Sequence, residues 1–124
     1  VYRVPYDLAA KRFGAVHVLA GPNANTTGNA IGNGESARFN TPAQMDLDQD
    51  GNLYVADRKN HCVRKITTNG TVTTYAGIAG TSGLQNGNAL TAKFYEPEGL
   101  QFGPDGALYV ADTWNHVIRK IVIE

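Results

Sequence analysis

The sequence predicts an all-β fold made of repeated antiparallel sheets, and three features indicate it. Residues Ala37 to Ile66 align without gaps with Ala92 to Ile121 at an offset of 55 residues, and half of the aligned positions are identical. Asp-Gly and Asn-Gly pairs, which signal tight hairpin turns, separate short apolar segments. The periodicity of a long helix is absent from the sequence, and Tyr6 to Arg12 is expected to form a single helical turn.

Each repeat is predicted to form four short strands. Met45 and Leu47 alternate with polar residues, which is the period-two pattern of a strand with one buried face. The Asp50-Gly51 turn leads into a second strand that is apolar on both faces, and β-branched residues indicate the third and fourth strands. The predicted strands are Gln44 to Asp48, Leu53 to Ala56, Cys62 to Thr67 and Thr71 to Tyr75 in the first repeat, and Leu100 to Phe102, Leu108 to Ala111 and Val117 to Ile123 in the second.

The chain enters partway through a repeat. Val16 to Gly21 resembles Val72 to Gly77, which contains the predicted fourth strand, and Val1 to Val4 is expected to be the third strand of the preceding repeat. The chain therefore divides into the end of one repeat with its connector (1–36), a repeat with its connector (37–91) and a repeat that lacks its outer strand (92–124). Four antiparallel strands, a long connector and the same pattern again are typical of propeller blades.

Both repeats contain the same three motifs in the same order: A-x-F-x-x-P, D-G-x-L-Y-V-A-D and N-H-x-[VI]-R-K-I. This order resembles the NHL repeat, a family of β-propeller blades, and the resemblance extends from Ala37 to Tyr75 and from Ala92 to Ile121. The resemblance implies a closed ring of about six blades, since radial closure protects the strand edges. With a period of 55 residues, 124 residues supply about two and a quarter blades. Closure therefore requires further blades, from a longer parent chain or from other copies.

Composition argues against several classes of protein. The chain has 11 Lys+Arg and 11 Asp+Glu, which disfavours nucleic acid as a partner because phosphate contacts need a basic surplus. A single cysteine excludes an internal disulfide. The apolar stretches are far shorter than the roughly 20 residues of a membrane-spanning helix, so membrane insertion is not expected. Phosphate-loop, dinucleotide and zinc-protease signatures do not occur in the sequence, and we expect no cofactor.

Three polar positions recur in both repeats, which indicates architecture because a chemical site seldom needs a copy in every blade. An aspartate that ends a buried strand can pair with an arginine on the next strand, and the pair offsets the cost of burying either charge. We expect such ion pairs, with the asparagine of the intervening turn, to brace each blade. The positions are Asp57, Asn60 and Arg64 in the first repeat and Asp112, Asn115 and Arg119 in the second.

Asp46, Asp48 and Asp50 match the opening D-x-D-x-D-G of a calcium loop. Such loops lie between helices, whereas a strand follows here and a hairpin turn accounts for Asp50 and its glycine. The second repeat keeps the turn residues but has Gln101 and Gly103 in place of the first two aspartates. Calcium binding is therefore a weak alternative to a structural turn.

His61 and His116 are of a residue type that ligates metals, but each follows the asparagine of a turn, without further ligands nearby in sequence. A histidine that braces the turn in each blade is the favoured interpretation. Cys62 aligns with Val117 and is interpreted as a small buried hydrophobe rather than a nucleophile.

The residues that do not repeat are concentrated in two Gly/Asn-rich connectors, 22–36 and 78–91. A propeller presents its connectors on the same face as the turns at Asn60 and Asn115, and we call this the loop face. Trp114, which aligns with Lys59, is either a binding anchor on this face or a packing residue between blades. The hydrogen-bonding candidates of the loop face are Asn23, Asn25 and Thr26.

The resemblance implies a noncatalytic scaffold that binds a protein or glycan partner through its loop face. One alternative is a structural subunit of an extracellular assembly that is completed between chains. Another is part of a propeller enzyme: the peptidyl-amidating lyases carry metal-binding histidines directly after the first-strand proline, where this chain has Ala43 and Glu98. Active-site residues would then lie outside this chain. N-glycosylation sequons at Asn25 and Asn69 favour an extracellular or cell-surface location.

Overall fold

The structure is a computed structural model that describes residues 1–122. Within this range the chain is all-β, and three short 3-10 turns lie at Gly34–Ser36, Arg58–Asn60 and Thr113–Asn115. The strands that precede the first complete repeat are β1 (Tyr2–Arg3), β2 (Tyr6–Asp7), β3 (Arg12–Phe13), β4 (His17–Val18) and β5 (Gly32–Asn33). The remaining strands are β6 (Pro42–Leu47), β7 (Leu53–Asp57), β8 (Cys62–Ile66), β9 (Thr71–Ala76), β10 (Pro97–Phe102), β11 (Leu108–Asp112) and β12 (Val117–Ile121).

The strands form antiparallel meanders as the repeat predicts. Strands β6 to β9 and the short strand β5 form one five-stranded sheet in the order β5-β9-β8-β7-β6, which we call the middle blade. Strands β10, β11 and β12 form the second blade in sequence order, and β1 pairs with β4 as the N-terminal pair. The added edge strand β5 comes from the connector and pairs through Gly32 with Val72, a contact that the sequence analysis did not anticipate.

One sequence expectation near the N-terminus differs from the structure, and one near the C-terminus extends beyond the described residues. Tyr6 to Arg12 does not form a helical turn: β2 and β3 pair as a small antiparallel hairpin, so this segment is a strand-turn-strand insertion between β1 and β4. Strand β12 ends at Ile121. The predicted end at Ile123 lies outside the described residues.

Hydrophobic cores lie on both faces of the middle blade. Leu53 and Val55 of β7 pack into a core with residues of the N-terminal segment, and Tyr54 and Ala56 pack into a core shared with the second blade. All five residues of β7 are therefore buried, as the sequence predicts for a strand that is apolar on both faces. The blades stack face to face, and each depends on its neighbours for burial.

The predicted burial of Met45 and Leu47 is wrong. These side chains are 47% and 56% exposed, whereas Leu100, the counterpart of Met45 in the second blade, is buried. Leu100 packs against the middle blade, but only the two-stranded sheets β1-β4 and β2-β3 precede the middle blade within residues 1–122. The alternating pattern identified the strand correctly, while burial of its apolar face depends on a neighbouring blade.

The opposite end of the described chain also exposes apolar surface. Ile118 is 71% exposed, although its counterpart Val63 is fully buried in the core between the blades. A groove of about 840 Å³ runs beside β12, and its other wall is the connector around Asn86 and Asn88. In the middle blade the equivalent position between β8 and β5 is filled by β9.

The part of the chain that the structure describes contains no helix with the length and apolar character of a membrane span.

Two isoleucine side chains, one buried in the core and one exposed beside β12, test whether apolar burial follows the stacking of the blades. Replacing Ile66, which is 1% exposed, with Ala leaves a cavity and is expected to lower the free energy of unfolding by about 2–5 kcal/mol. The control Ile118→Ala removes an exposed side chain and is expected to change it by less than about 0.5 kcal/mol. Urea denaturation of both variants measures the difference. Equal losses would show that the face of Ile118 is covered, contrary to this packing.

Candidate binding face

A buried ion pair lies inside each blade. Arg64 Nε is 3.0 Å from Asp57 Oδ2, and both side chains are fully buried. Arg119 Nη1 is 2.8 Å from Asp112 Oδ2 in the second blade. In each case the aspartate ends the second strand and lies directly opposite the first residue of the third strand. The arginine comes two residues later on the third strand, so the two side chains face each other diagonally, a spacing that long side chains can bridge.

Each pair also holds the loops of its blade. In the middle blade, Asp57 Oδ1 accepts a hydrogen bond from the backbone N–H of Asn40 at 2.8 Å. Asn60 Nδ2 donates to Asp57 Oδ2 at 2.8 Å and to the carbonyl oxygen of Gly28 at 2.6 Å. Arg64 Nη2 donates to the carbonyl oxygen of Asn29 at 2.8 Å. The buried charges are satisfied by loop backbone, which fixes the connector against the strands.

The second blade repeats this scheme. Asp112 Oδ1 accepts from the backbone N–H of Tyr95 at 2.7 Å, and Asn115 Nδ2 donates to Asp112 Oδ2 and to the carbonyl oxygen of Gly83, both at 2.8 Å. Arg119 donates to connector carbonyl oxygens as well. The connectors and the turns at Asn60 and Asn115 therefore do lie on one face of the blades.

The histidine of the middle blade's turn links that blade to the next. His61 and His116 both adopt a left-handed backbone conformation with φ of 57° at the end of their 3-10 turns. His61 Nδ1 accepts a hydrogen bond from the backbone N–H of Glu96 at 3.1 Å, and its ring packs edge-on against Tyr95. Glu96 itself has φ of 48°. The histidine of the middle blade thus holds the start of β10 rather than only its own turn.

An aromatic stack lies on the loop face beside this histidine. The rings of Tyr95 and Trp114 are stacked, with centroids 5.7 Å apart and planes 25° apart. The backbone N–H of Trp114 donates to the carbonyl oxygen of Tyr95 at 3.1 Å. Trp114 is 54% exposed and Tyr95 is 38% exposed. Within residues 1–122, Trp114 therefore lies on the surface, stacked on Tyr95 of its own blade.

Arg58 joins the two blades through Glu96 and Glu98, which closely follow Tyr95 in the sequence. Its Nη2 is 2.9 Å from Glu96 Oε2, and its Nε is 3.1 Å from Glu98 Oε1. All three side chains are partly exposed. We call Arg58, Tyr95, Glu96, Glu98 and Trp114 the junction patch. The sequence analysis singled out only Trp114 as a binding candidate of this patch.

A signal for the other members was present in the repeat. The residues of the junction patch occupy positions at which the two repeats differ: Arg58 aligns with Thr113, Trp114 with Lys59, Tyr95 with Asn40, Glu96 with Thr41 and Glu98 with Ala43. A comparison of the repeats for their differences therefore includes every member of the patch, among the half of the aligned positions that are not identical.

Comparison with known proteins agrees with the repeat architecture. The NHL repeat matches residues 39–66 and 94–121, which contain the recurring aspartates, asparagines and arginines of both blades. The chain belongs to the NHL-repeat β-propeller family. NHL repeat-containing protein 2 of Bos taurus is 38% identical over 121 residues, which cover 90% of this chain and 16% of that protein.

Solved NHL-type structures share the fold. An auxiliary nutrient binding protein from Bacteroides thetaiotaomicron matches 98% of this chain with a TM-score of 0.88 and 31% sequence identity. One from Bacteroides ovatus matches 99% with a TM-score of 0.88 and 28% identity. The chain covers 32% of each of these two chains, so it spans about a third or less of the relatives it matches.

The remaining loop-face candidates lie elsewhere on this NHL segment. Asn23, Asn25 and Thr26 are exposed on the first connector. Asn25 and Thr26 line a depression of about 340 Å³ together with Val1 and Phe39. Trp114 is carried by the second blade, so the structure divides the predicted binding residues between two parts of the loop face. Both sequon asparagines, Asn25 and Asn69, are exposed.

Two of the three aspartates of the calcium hypothesis, Asp46 and Asp48, have other partners for their carboxylates. Asp48 Oδ1 accepts from the backbone N–H of Asp50 and of Asn52, both at 2.9 Å. Asp46 Oδ2 accepts from the backbone N–H of Phe102 at 2.8 Å and so links β6 to β10. Residues 1–122 contain no group of three or more His, Cys, Asp or Glu side chains arranged to hold a metal ion. The geometry favours the structural interpretation of this turn.

Cys62 lies fully buried on β8. Burial raises the pKa of its thiol from the usual 9.0 to about 12, because a thiolate is poorly solvated there. The thiol is therefore protonated at neutral pH, which is the state of a small apolar packing residue.

The brace predicts strong coupling between its members. Asp57→Ala and Arg64→Ala each leave an unpaired buried charge and are expected to lower the free energy of unfolding by about 3–5 kcal/mol. The double variant is expected to lose less than the sum by about 1–3 kcal/mol. Chemical denaturation of the full cycle measures this coupling. The exposed pair Asp105–Lys120, 2.8 Å apart, is the control and is expected to show no measurable coupling. Additive losses for the buried pair would contradict the brace.

The buried thiol predicts an alkaline loss of stability. Above pH 9 the thiol ionises in the unfolded chain but not in the folded one, so the folded state binds more protons and the free energy of unfolding falls as pH rises toward 12. The expected slope is up to about 1.4 kcal/mol per pH unit. Cys62→Val, the residue of the second repeat, is expected to remove this part of the slope. Urea denaturation of both proteins between pH 8 and pH 11 compares them, and identical slopes would show that Cys62 does not contribute.

Proposed function

We propose that this chain is part of a noncatalytic NHL-repeat propeller that binds a protein or glycan partner through its loop face. The observation that supports the proposal most directly is the junction patch. Residues that recur in both blades form the buried braces, whereas residues that differ between the blades gather in an exposed cluster above the blade junction. Rigid scaffolds that present variable exposed loops are typical of binding proteins.

Two further observations agree with a binding role. The matched Bacteroides structures are described as auxiliary nutrient binding proteins, which makes ligand binding a reasonable function for this segment. Glu98, at the position where the amidating lyases carry a metal-binding histidine, is ion-paired to Arg58. The proposal includes an extracellular or cell-surface setting, which rests on the exposed sequons at Asn25 and Asn69.

The loop face can be tested with one variant and one control. Trp114→Ala removes the exposed ring, and a ligand of the loop face is expected to bind about tenfold or more weakly as a result. Lys120→Ala, near the Asp105 turn at the opposite end of the strands, is expected to leave binding unchanged. Binding of wild type and both variants to a printed glycan array and to a panel of purified extracellular proteins provides the measurement. Loss with Lys120→Ala but not with Trp114→Ala would place binding on the other face and reject the proposal.

A further inference from the structure

The pairs of asparagine or aspartate with glycine that mark turns in this chain also have a chemical consequence. The backbone nitrogen of the glycine can attack the side-chain carbonyl carbon of the residue before it, because glycine has no side chain to obstruct the approach. Whether a given pair reacts depends on the freedom of its glycine N–H and of its side chain. The pairs are Asn33-Gly34, Asp50-Gly51, Asn69-Gly70, Asn86-Gly87 and Asp105-Gly106.

In four of these pairs the glycine N–H is already hydrogen bonded to a backbone carbonyl oxygen. Gly34 donates to Gly70 at 3.0 Å, and Gly70 donates to Thr67 at 2.9 Å. Gly51 and Gly106 donate within their hairpin turns at 3.1 Å and 3.0 Å. Each of these N–H groups must leave its acceptor before its nitrogen can attack, which slows the reaction.

The side chains of two of the asparagines are held as well. Asn33 Oδ1 accepts a hydrogen bond from the hydroxyl group of Thr71 at 2.7 Å. Asn69 Oδ1 accepts from the same hydroxyl group at 3.0 Å and from the backbone N–H of Thr71 at 3.3 Å. The side chains of Asn33 and Asn69 are therefore restrained on the fourth strand of the middle blade.

The pair Asn86-Gly87 differs from the other four. Within residues 1–122, neither the Gly87 N–H nor the Asn86 side chain makes a hydrogen bond. Both residues are exposed. Gly87 has φ of 124°, and no atom lies within 4 Å of the position that a Cβ would take there. This peptide unit therefore has the freedom that ring closure needs.

The position of Gly87 in the blade explains why its N–H is free. Gly87 aligns with Gly32 at the offset of 55 residues, and Gly32 pairs with Val72 of β9. Asn86 and Gly87 line the groove beside β12, which is the place that β9 takes in the middle blade. A strand in this groove would pair with Gly87 as Val72 pairs with Gly32.

We propose that Asn86 is a site of spontaneous deamidation and isoaspartate formation, which reacts while the groove beside β12 is open and is protected when a strand fills it. The Gly87 nitrogen bonds to Asn86 Cγ, and the Cγ–Nδ2 bond breaks. Ammonia leaves with the proton of the Gly87 N–H. The resulting succinimide ring takes up one water molecule and opens at either carbonyl, to aspartate or to isoaspartate.

The reaction would change the wall of the groove. Both products replace the neutral amide of Asn86 with a carboxylate, and isoaspartate also adds one methylene group to the main chain. The added length shifts Gly87 and Asn88, the counterparts of the β5 residues. The modified wall is therefore expected to pair less well with a strand. This inference is independent of the proposed function.

One tryptic peptide contains both a held and a free asparagine. Cleavage after Lys65 and Lys93 releases residues 66–93, which include Asn69 and Asn86. The folded chain is incubated at mildly alkaline pH, digested and analysed by fragmentation mass spectrometry, and isoaspartate is identified with an isoaspartyl methyltransferase. Asn86 is expected to deamidate about tenfold or more faster than Asn69, because the hydrogen bonds of Asn69 and Gly70 must open first. In concentrated urea the two rates are expected to become similar, since both residues precede glycine.

Two further proteins complete the test. Asn86→Gln is expected to lose the fast reaction, because the longer side chain closes a larger ring more slowly. In the second protein, residues 67–77 replace residues 122–124, so that a copy of β9 follows Ile121 as β9 follows Ile66. This added strand is expected to slow the reaction of Asn86 by about tenfold. Far-UV circular dichroism checks that the sheets of both proteins are intact.

Each outcome decides a part of the proposal. Equal rates at Asn86 and Asn69 in the folded chain would overturn the site, as would the same difference in rate in urea. A fast reaction that persists in Asn86→Gln would also overturn it. If Asn86 reacts at the same rate with and without the added strand, the protection by a strand is wrong.

Discussion

The burial of one aspartate and one arginine inside each blade constrains the rest of this molecule. Neither charge can be placed there alone, because an unpaired buried ion is strongly destabilising. Asp57 and Arg64 satisfy each other, and the donors and acceptors that remain are matched by the backbone of the connector around Gly28 and Asn40. The same groups that stabilise the strands therefore fix the loops. A connector rich in glycine and asparagine, which would be flexible in isolation, becomes a rigid surface.

The sequence was sufficient to predict the blades because their signals are local. The Asp-Gly turns, the apolar segment Leu53 to Ala56 and the period of 55 residues each identify an element without knowledge of its neighbours. Burial was predicted less well. Met45 has the pattern of a core residue and is exposed, because the surface that covers an inner strand belongs to another blade. The edge strand at Gly32 was also missed, since a two-residue strand has no periodicity to detect.

The candidate site was predicted only in part, for a related reason. Trp114 was identified because it differs from its counterpart, but its stack with Tyr95 joins two loops of the second blade, and the ion pairs of Arg58 with Glu96 and Glu98 arise between blades. Residues that are about 40 positions apart in sequence meet only after the blades have stacked. Residues that recur in both repeats identify the buried scaffold. Residues that differ between the repeats identify the contacts that are specific to one blade junction.

The hydrogen bond from Glu96 to His61 has a direction. The acceptor belongs to the turn of one blade and the donor to the first strand of the next, so the two surfaces that meet at a junction are unlike each other. An interface of this kind is heterologous: it can repeat from blade to blade and forms a ring when the rotation per blade closes, whereas two like faces would stop at a pair. His116 has the same backbone conformation as His61 at the following position. The polarity of the contact thus agrees with the order in which the chain forms successive blades.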